Sequence, residues 1–409
     1  MPDTRRGWGD FPHDPDASNA AGECDRGTVK RSSRAASLLS RLSVAGVDTV
    51  FGMVGHSNLG LADALRRAEE DGRLSYFGIR HEGVGAFAAS AYAKLTGRPA
   101  ACFSIAGPGA TNLLTGLWDA KVEIPILALT GQVQTQVLGS GAFQEIPTAE
   151  AFSAVAEWSQ TVLAPGNASE LMALALKHAV VQRDVAHLIF PDDVQELPGL
   201  DDPPARPRAG RISTTAITPP SDDLARAIEL LERATRPVIV VGAGARADRD
   251  AVIELAGHID ARVITTFKAK GLIGDDYPLG CGVLARSGTP VGSAVMGRSD
   301  CLLVLGASFS NHTGISRNKP TIQVDTDRMT LGKFDPVDVP LWGRSARRSP
   351  NSGANSLRWR APSSAATLRA GGSGGGLKRK SAPAWSTPRA RCTRQPSFWR
   401  SPALFRTTP

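Results

Sequence analysis

Two short segments of the chain bring together residue types that could do acid–base chemistry beside a bound ligand. The first, Arg80-His81-Glu82, lies between an apolar run, Leu74–Ile79, and a helix-like pattern. The second, Gly107-Pro108-Gly109-Ala110-Thr111-Asn112, follows the apolar run Ala100–Ile105. Glycines let a backbone turn approach a ligand closely, and a carboxyl group beside the turn can hold or transfer a proton. The two segments are therefore the first candidates for a functional site.

Each segment, taken alone, also fits a structural role, and for the first segment the structural role is favoured. A carboxylate such as Glu82 at the start of a helix complements the helix dipole and can cap the first turn. The glycines of the second segment suit a plain strand-to-helix turn, in which Thr111 or Asn112 caps the next helix. Both interpretations stay open as long as the segments are considered separately.

The residues around both segments predict alternating strands and helices. Apolar residues recur at helical spacing between Val84 and Leu95, and Gly97 supplies a helix end. Short apolar runs, typical of buried strands, alternate with such helices. This alternation is typical of a parallel α/β sheet, which binds ligands at the carboxyl ends of its strands. The predicted strands are Thr49–Met53, Leu74–Ile79, Ala100–Ile105, Pro125–Thr130 and Ala186–Phe190.

A second set of strands and helices follows a proline-rich, charged stretch. Its predicted strands are Pro237–Val241, Ala261–Thr266, Cys301–Leu305 and Thr321–Val324. The predicted fold class is α/β, with two doubly wound parallel-sheet domains and a disordered basic tail. The predicted boundaries are a mobile leader at 1–32, a first domain at 33–194, a linker at 195–220, a second domain at 221–343 and a tail at 344–409.

The net charge of +8 belongs to the last part of the chain. Residues 344–409 contain 14 of the 47 Lys and Arg residues and none of the 39 Asp and Glu residues, so residues 1–343 are mildly acidic. Few branched apolar residues accompany this charge, as in disordered segments. Interleaved Trp residues leave one alternative open, a tail that binds nucleic acid by phosphate contacts and stacking. We do not expect nucleic acid as a partner, because the spacing of no known module is present.

Composition and motifs exclude several classes of protein. No uncharged apolar run approaches the roughly 18 residues of a membrane span, so we expect no membrane partner. The N-terminal stretch has no apolar segment typical of a secretory signal. The five cysteines are widely spaced and form no CxxC pair, which indicates neither a disulfide framework nor a zinc site. We therefore expect a cytoplasmic protein.

Four motifs follow one another in a specific order along the chain. They are Val50-Phe51-Gly52-Met53-Val54-Gly55, Arg80-His81-Glu82, Gly107–Asn112 and Phe143-Gln144-Glu145. Together they resemble the pyrimidine-binding domain of thiamine diphosphate-dependent enzymes, in the branch of the acetolactate synthases and pyruvate oxidases. Thr266–Gly271, Gly280–Gly282 and Ser299–Gly306 resemble that branch's Rossmann-like central domain. Val54 departs from the proline that is usual in the family's VFGxPG turn.

The resemblance implies roles for individual residues. It implies that Glu82 is the catalytic carboxyl group, which hydrogen-bonds N1′ of the cofactor's aminopyrimidine from an apolar pocket. The cofactor acts through a C2 carbanion, and a carboxyl group that shares a proton with N1′ favours the tautomer that removes the C2 proton. His81 has no matched role. The implied cofactor-binding residues are Gly55, Gly107, Pro108, Gly109 and Asn112, and the implied substrate-facing residues are Phe143 and Gln144.

The resemblance implies thiamine diphosphate with Mg²⁺ as cofactors. In this family a C-terminal domain with a Gly-Asp-Gly motif and a later Asn holds the diphosphate and Mg²⁺, and the chain offers only the near miss Gly274-Asp275-Asp276. We therefore predict no metal ligand in this chain. FAD stays open as a second cofactor: Gly242-x-Gly244-x-x-Ala247 is a weak dinucleotide motif, whereas the arginine typical of flavin-binding members is absent after Cys301–Leu305.

The function implied by the resemblance is thiamine diphosphate-dependent C–C bond chemistry on a 2-keto acid, as in an acetolactate synthase-like transferase that joins pyruvate units. The alternatives are a pyruvate oxidase-like or decarboxylase member of the family, and a non-catalytic partner subunit. The complete family form is expected to be a homodimer or tetramer. Because the composition changes abruptly after Gly343, we predict a frameshift near residue 343, a missing diphosphate-binding domain and a chain that is inactive alone.

Overall fold

The alternation of apolar runs and amphipathic helices produces two separate parallel sheets. The computed structural model describes residues 42, 45–197, 210–213, 217–310 and 312–344. The chain divides into two units, Met1–Ser213 and Thr214–Pro409, and each contains one six-stranded sheet. The predicted leader, most of the predicted linker and the predicted tail beyond Arg344 lie outside the described residues.

Six strands form the sheet of the first unit. They are β1 (Thr49–Gly52), β2 (Ser75–Gly78), β3 (Ala100–Ser104), β4 (Ile126–Gln132), β5 (Trp158–Thr161) and β6 (Val185–Pro191). Their order is β2-β1-β3-β4-β6-β5, and all neighbouring pairs are parallel. The chain adds β2 on one side of β1 and then crosses to β3 on the other side. The strand order therefore reverses between β1 and β3, which is where sheets of this kind bind ligands.

Helices cover both faces of the first sheet, because alternate side chains of its strands enter different cores. The helices are α1 (Leu59–Glu70), α2 (Glu82–Thr96), α3 (Pro108–Asn112), α4 (Leu114–Ala120), α5 (Thr148–Phe152), α6 (Ala168–Gln182) and α7 (Asp192–Glu196). On β3, Ala101 and Phe103 pack with residues of α1 and α6, whereas Ala100 and Cys102 pack with residues of α2 and α4. The period of two along the strand thus separates two apolar layers.

The second unit repeats the same architecture. Its strands are β7 (Pro237–Val241), β8 (Arg262–Thr266), β9 (Gly280–Leu284), β10 (Cys301–Leu305), β11 (Thr321–Asp325) and β12 (Val339–Trp342), and its helices are α8 (Ser221–Arg233), α9 (Arg249–Ile259) and α10 (Pro290–Arg298). The parallel order is β12-β11-β10-β7-β8-β9, so the reversal lies between β7 and β10. The predicted α/β class with two parallel sheets is confirmed.

Arg344, the first residue of the predicted tail, contacts the second unit. Its guanidinium donates to Asp248 Oδ1 at 3.1 Å, and the Asp248 side chain is almost fully buried. A buried carboxylate needs such a partner, since an unpaired buried charge is costly. The folded second unit therefore includes Arg344.

Candidate active site

The candidate site lies at the carboxyl edge of the first sheet, where the strand order reverses. Met53–Gly55 follows β1 and Ile105–Gly107 follows the neighbouring β3. The Met53 N–H donates to the Phe103 carbonyl oxygen at 3.1 Å and joins the two strand ends. The Gly55 N–H donates to Asn58 Oδ1 at 2.9 Å, which fixes the turn after β1. The first and third motifs of the sequence thus lie side by side.

Glu82 is the first residue of α2 and is only 7% exposed. The helix does not use its carboxylate as a cap, because His81 occupies the N-cap position and its Nδ1 accepts a hydrogen bond from the Gly83 N–H at 3.1 Å. The Glu82 side chain contacts Asn112 instead, whose Nδ2 donates to Oε2 at 3.0 Å. Glu82 therefore links the two candidate segments, and the capping role belongs to His81.

Gly107 contacts the loop that carries the fourth motif. Its φ of 64° and ψ of −129° are accessible almost only to glycine, and a Cβ there would lie 2.6 Å from the Gln144 carbonyl oxygen. Gln144 itself has a φ of 65°, and its Oε1 is buried without a hydrogen-bond partner. Gly107 also precedes α3 directly, so Pro108–Asn112 is a short helix and neither Thr111 nor Asn112 caps α4.

Gly109 packs closely beside the Glu82 carboxyl group. A Cβ at Gly109 would lie 3.0 Å from Glu82 Oε1, 3.2 Å from Ser104 Oγ and 2.5 Å from Ile105 Cγ1. Gly55 packs on the same isoleucine, since its Cβ would lie 2.6 Å from Ile105 Cγ2. Ile105 therefore packs against both glycines, and any side chain at position 109 would collide with Ile105 and contact Glu82 Oε1.

The segment between β4 and α5 carries Phe143 and Gln144 and is held by three side chains. Gln132 Nε2 donates to the Ile146 carbonyl oxygen and to Thr148 Oγ1, both at 3.1 Å. At the start of the segment, the Thr135 N–H donates to Asp193 Oδ1 at 2.9 Å. In its middle, the Glu145 carboxylate accepts hydrogen bonds from the N–H groups of Gly139, Gly141 and Ala142. The position of Gln144 against Gly107 is thus fixed from both ends.

We expect this segment to loosen at acidic pH. Hydrogen bonds from Gly139, Ala142 and Gly141 hold the pKa of the Glu145 carboxyl below its usual range. Since the folded-state pKa lies below the unfolded value, the stabilisation is complete above the usual Glu pKa of about 4.3 and is lost as the pH falls through the lowered value. NMR titration of the Gly139, Gly141 and Ala142 amide protons measures this.

In the Glu145→Gln variant the same amide protons should lose that titration, since the side chain no longer ionises. Amide shifts that titrate identically in the variant would show that another group is responsible. The Thr135 amide donates to Asp193 and not to Glu145, so its chemical shift should depend on pH in the same way in the wild type and in the variant. It therefore serves as an internal reference.

The structure thus brings together six of the eight residues assigned by resemblance. Pro108 is the exposed first residue of α3, and Phe143 is 83% exposed. The motifs gave no role to Ser104, Ile105 or Gln132. The apolar strand pattern indicated burial for the first two, and Gln132 carried no local signal at all. The residues brought together are Glu82, Asn112, Gly109, Gly107, Gly55 and Gln144.

The buried histidine of the first unit does not act as a competing acid–base group. His187 on β6 is fully buried between Thr130 Oγ1 at 2.9 Å and Ser159 Oγ at 2.8 Å. Burial lowers its pKa to about 3, so the imidazole is neutral at physiological pH. In the described residues, no group of three or more His, Cys, Asp or Glu side chains could hold a metal ion. Across the same residues, we find no helix with the length and apolarity needed to cross a membrane.

The glycine turn of the second unit packs against its own protein. The Gly242 N–H donates to the Leu305 carbonyl oxygen at 2.8 Å, and the Gly244 N–H donates to Gly306 at 3.0 Å. A Cβ on Gly242 would lie 2.0 Å from the Gly306 carbonyl oxygen. These glycines allow two backbone segments to touch, and their N–H groups are already used. The N–H groups of these two glycines are therefore not free donors for a dinucleotide phosphate.

Two family models match the chain in the order of its two units. The model described as thiamine pyrophosphate enzyme, N-terminal TPP binding domain, matches residues 33–152, and the central-domain model of the same enzymes matches residues 224–348. The chain belongs to the thiamine pyrophosphate enzyme family. The resemblance seen in the four motifs is confirmed by these matches, and all four motifs lie within the first matched range.

Relatives in this family include acetolactate synthases and a pyruvate oxidase. The chain is 32% identical to the acetolactate synthase large subunit of Parasynechococcus marenigrum over 340 residues, 80% of this chain and 55% of that protein. It is 32% identical to the pyruvate oxidase of Lactiplantibacillus plantarum over 313 residues, 75% of this chain and 51% of the oxidase. The chain thus spans about half the length of these relatives.

A shorter relative is matched over more of its length. The chain is 30% identical to an uncharacterized 42.6 kDa protein of Pseudomonas amyloderamosa over 306 residues, which are 74% of this chain and 76% of that protein.

Proposed function

We propose that the first unit binds the aminopyrimidine of thiamine diphosphate with Glu82 at N1′. The observation that carries this proposal is the buried Glu82 carboxyl group at the reversal point of the sheet. One of its oxygens is held by Asn112, and the other lies beside Gly109. Glycine at position 109 keeps a side chain away from Oε1, which leaves that oxygen for a ring nitrogen.

The neighbouring residues fit the rest of that ring. Gly55 and Gly109 carry no side chains and both pack on Ile105, and we assign the surface that these three residues form to the wall of the ring. Asn112 keeps the Glu82 carboxyl group oriented, so that Glu82 holds or transfers a proton at N1′. When bound, thiamine diphosphate supplies a C2 carbanion that adds to a carbonyl group. Gln144 lies against Gly107, and we assign Gln144 and the exposed Phe143 to the substrate side of the site.

We propose a 2-keto acid as the substrate, with acetolactate synthase-like carboligation of pyruvate as the reaction. The similarity to acetolactate synthases over more than three quarters of the chain supports this choice. The test is product analysis after incubation with pyruvate, in an enzyme that also carries a diphosphate-binding domain. Acetolactate is the expected product. Acetaldehyde would indicate a decarboxylase instead, and oxygen consumption would indicate an oxidase.

Mg²⁺ is part of this proposal, whereas FAD is not. We propose that Mg²⁺ and the diphosphate are bound by residues other than those of the described chain, where no suitable cluster of ligands occurs. FAD is not part of the proposal, because the N–H groups of Gly242 and Gly244 already donate to the carbonyl oxygens of Leu305 and Gly306. Similarity to a pyruvate oxidase is the observation that favours a flavin.

We also propose that the tail is translated out of frame. Its composition supports this, and the contact of Arg344 with Asp248 and the match to residue 348 support a change slightly beyond Gly343. Translating the two other reading frames beyond this codon should reveal Gly-Asp-Gly followed by Asn. If neither frame contains that motif, the proposal is wrong and an evolved basic tail is favoured.

We propose that the chain acts in the cytoplasm. We also propose that it self-associates through the outer surfaces of α2 and α4. Helices α2 and α4 cross closely, since a Cβ on Gly116 would lie 2.5 Å from the Ala86 Cβ. Their outer surfaces expose large apolar side chains, which indicates an interaction surface. These side chains are Val84, Phe87 and Leu95 on α2, with Trp118 on α4 and Val122 just after it.

Charges on this surface should dissociate the assembly. We expect the wild-type chain to elute as a dimer or larger species in size-exclusion chromatography with light scattering, and the Phe87→Glu/Trp118→Glu variant to elute as a monomer. Leu163→Glu is the matched control, because Leu163 is 59% exposed but follows β5 at the far edge of the sheet. A monomeric wild type, or equal dissociation in the control, would contradict the assignment of this surface.

A further inference from the structure

A buried hydroxyl group without a partner lies next to the candidate acid–base residue. Ser104 is the last residue of β3 and is fully buried, and its Oγ makes no hydrogen bond to any described residue. Buried hydroxyl groups nearly always have a partner, because leaving one unpaired costs free energy. The orphaned Oγ therefore indicates that something absent from the isolated chain satisfies it.

This hydroxyl and Glu82 both lie close to Gly109. The site of the missing Cβ lies 3.2 Å from Ser104 Oγ and 3.0 Å from Glu82 Oε1. The two oxygens thus lie near the same side-chain-free residue, against which Ile105 also packs. The other carboxyl oxygen, Oε2, already accepts from Asn112. Oε1 and the Ser104 hydroxyl are consequently two neighbouring polar atoms that one shared water can bridge.

We propose that Ser104 is a positioning residue for Glu82, and that its hydroxyl donates to Oε1 through one bridging water. A carboxyl group held at both oxygens, by Asn112 and by Ser104, has one orientation toward a ligand above Gly109. A hydrogen bond to a charged acceptor is among the stronger ones, so its loss should be measurable. A catalytic role for Ser104 rests on the proposed function, whereas the contact between Ser104 and Glu82 does not.

The infrared absorption of the Glu82 carboxyl group reports this contact without any cofactor. In protein labelled with ¹³C at the Glu carboxyl carbon, the difference between wild type and Glu82→Gln identifies the Glu82 band. We expect Ser104→Ala to shift that band and Ser104→Cys, a weak donor, to shift it partly. Asn112→Ala, which removes the bond to Oε2, is the positive control. An unshifted band in Ser104→Ala, with a shifted band in Asn112→Ala, would overturn the proposal.

Unfolding measurements distinguish positioning from simple packing. If the hydroxyl were merely orphaned, Ser104→Ala would stabilise the chain by removing an unpaired polar group. We expect instead that Ser104→Ala unfolds at the same urea concentration as the wild type or at a lower one, and that its Glu82 infrared band shifts. A stabilised Ser104→Ala with an unshifted band would overturn the proposal, and Ser104→Cys provides the same comparison should Ser104→Ala fail to fold.

Binding of the isolated aminopyrimidine fragment of thiamine separates this inference from the proposed function. We expect Ser104→Ala to weaken binding about tenfold, as for a lost charged hydrogen bond. If the wild type does not bind the fragment but the band still shifts, the proposed function fails and the Ser104–Glu82 contact stands. If the wild type binds it and Ser104→Ala binds equally well with an unshifted band, the contact is wrong and the proposed function stands.

Discussion

Replacing Glu82 with Gln is expected to slow exchange of the C2 proton of bound thiamine diphosphate by at least about 10²-fold, in an enzyme that carries both cofactor-binding domains. Gln keeps the shape of the side chain and can still contact Asn112, but it cannot share a proton with N1′. The loss therefore measures proton transfer alone. Deuterium exchange at C2, followed by quenching and NMR of the released cofactor, gives the rate.

The Glu82→Gln variant should still fold. A carboxylate at a helix start contributes only about 0.3–1 kcal/mol through the helix dipole, and the cap of α2 is His81. Glu157→Gln is a suitable control, because Glu157 is exposed and precedes β5 at the opposite edge of the sheet. An unchanged exchange rate in Glu82→Gln would leave Glu82 with a structural role only.

Replacing Gly107 with Ala should destabilise the first unit more than most other single substitutions in that unit. The backbone conformation at Gly107 costs about 1–3 kcal/mol for a residue with a Cβ. The Cβ would also meet the Gln144 carbonyl oxygen at 2.6 Å, and such overpacking costs typically a further ~1–3 kcal/mol. Urea unfolding of the variant measures the sum as a lowered midpoint.

Gly97→Ala is the reference for a positive-φ glycine whose replacement causes no clash. Gly97 ends α2 with a φ of 71° but has no heavy atom within 4 Å of its Cβ position, so its replacement tests backbone strain without a clash. We expect Gly107→Ala to lose clearly more stability than Gly97→Ala. Equal losses in the two variants would show that Gly107 and Gln144 are not in close contact.

The interior strands of both sheets were predictable from sequence, whereas three of the four edge strands were not. The central strands β3, β4, β7 and β10 contain apolar runs, because helices cover them on both faces. The edge strand β5 reads Trp-Ser-Gln-Thr and is largely polar, so its four residues give no such signal. The edge strands β9 and β12 give no continuous apolar run either, since glycines interrupt one and a proline interrupts the other.

The site was predictable only where its residues form a contiguous motif. Glu82 and Gly107 stand in segments that can be recognised locally, and their meeting follows from the strand order. The role of Gln132 could not be foreseen, because its amide reaches Ile146 and Thr148 only through the folded course of the segment. The roles of Ile105 and Ser104 likewise depend on how both residues pack against Gly109. The spacing of residues along the sequence does not specify this packing.

Binding of the isolated aminopyrimidine fragment of thiamine to this chain tests the central claim most directly, since it requires neither diphosphate nor metal. Calorimetric titration of wild type, Glu82→Ala and Glu157→Ala compares the site with a distant carboxylate. We predict that Glu82→Ala weakens binding at least about tenfold, as expected for a lost hydrogen bond to a charged group, while Glu157→Ala binds like the wild type. Equal affinities in the wild type and Glu82→Ala would contradict the assignment of Glu82 to the aminopyrimidine site.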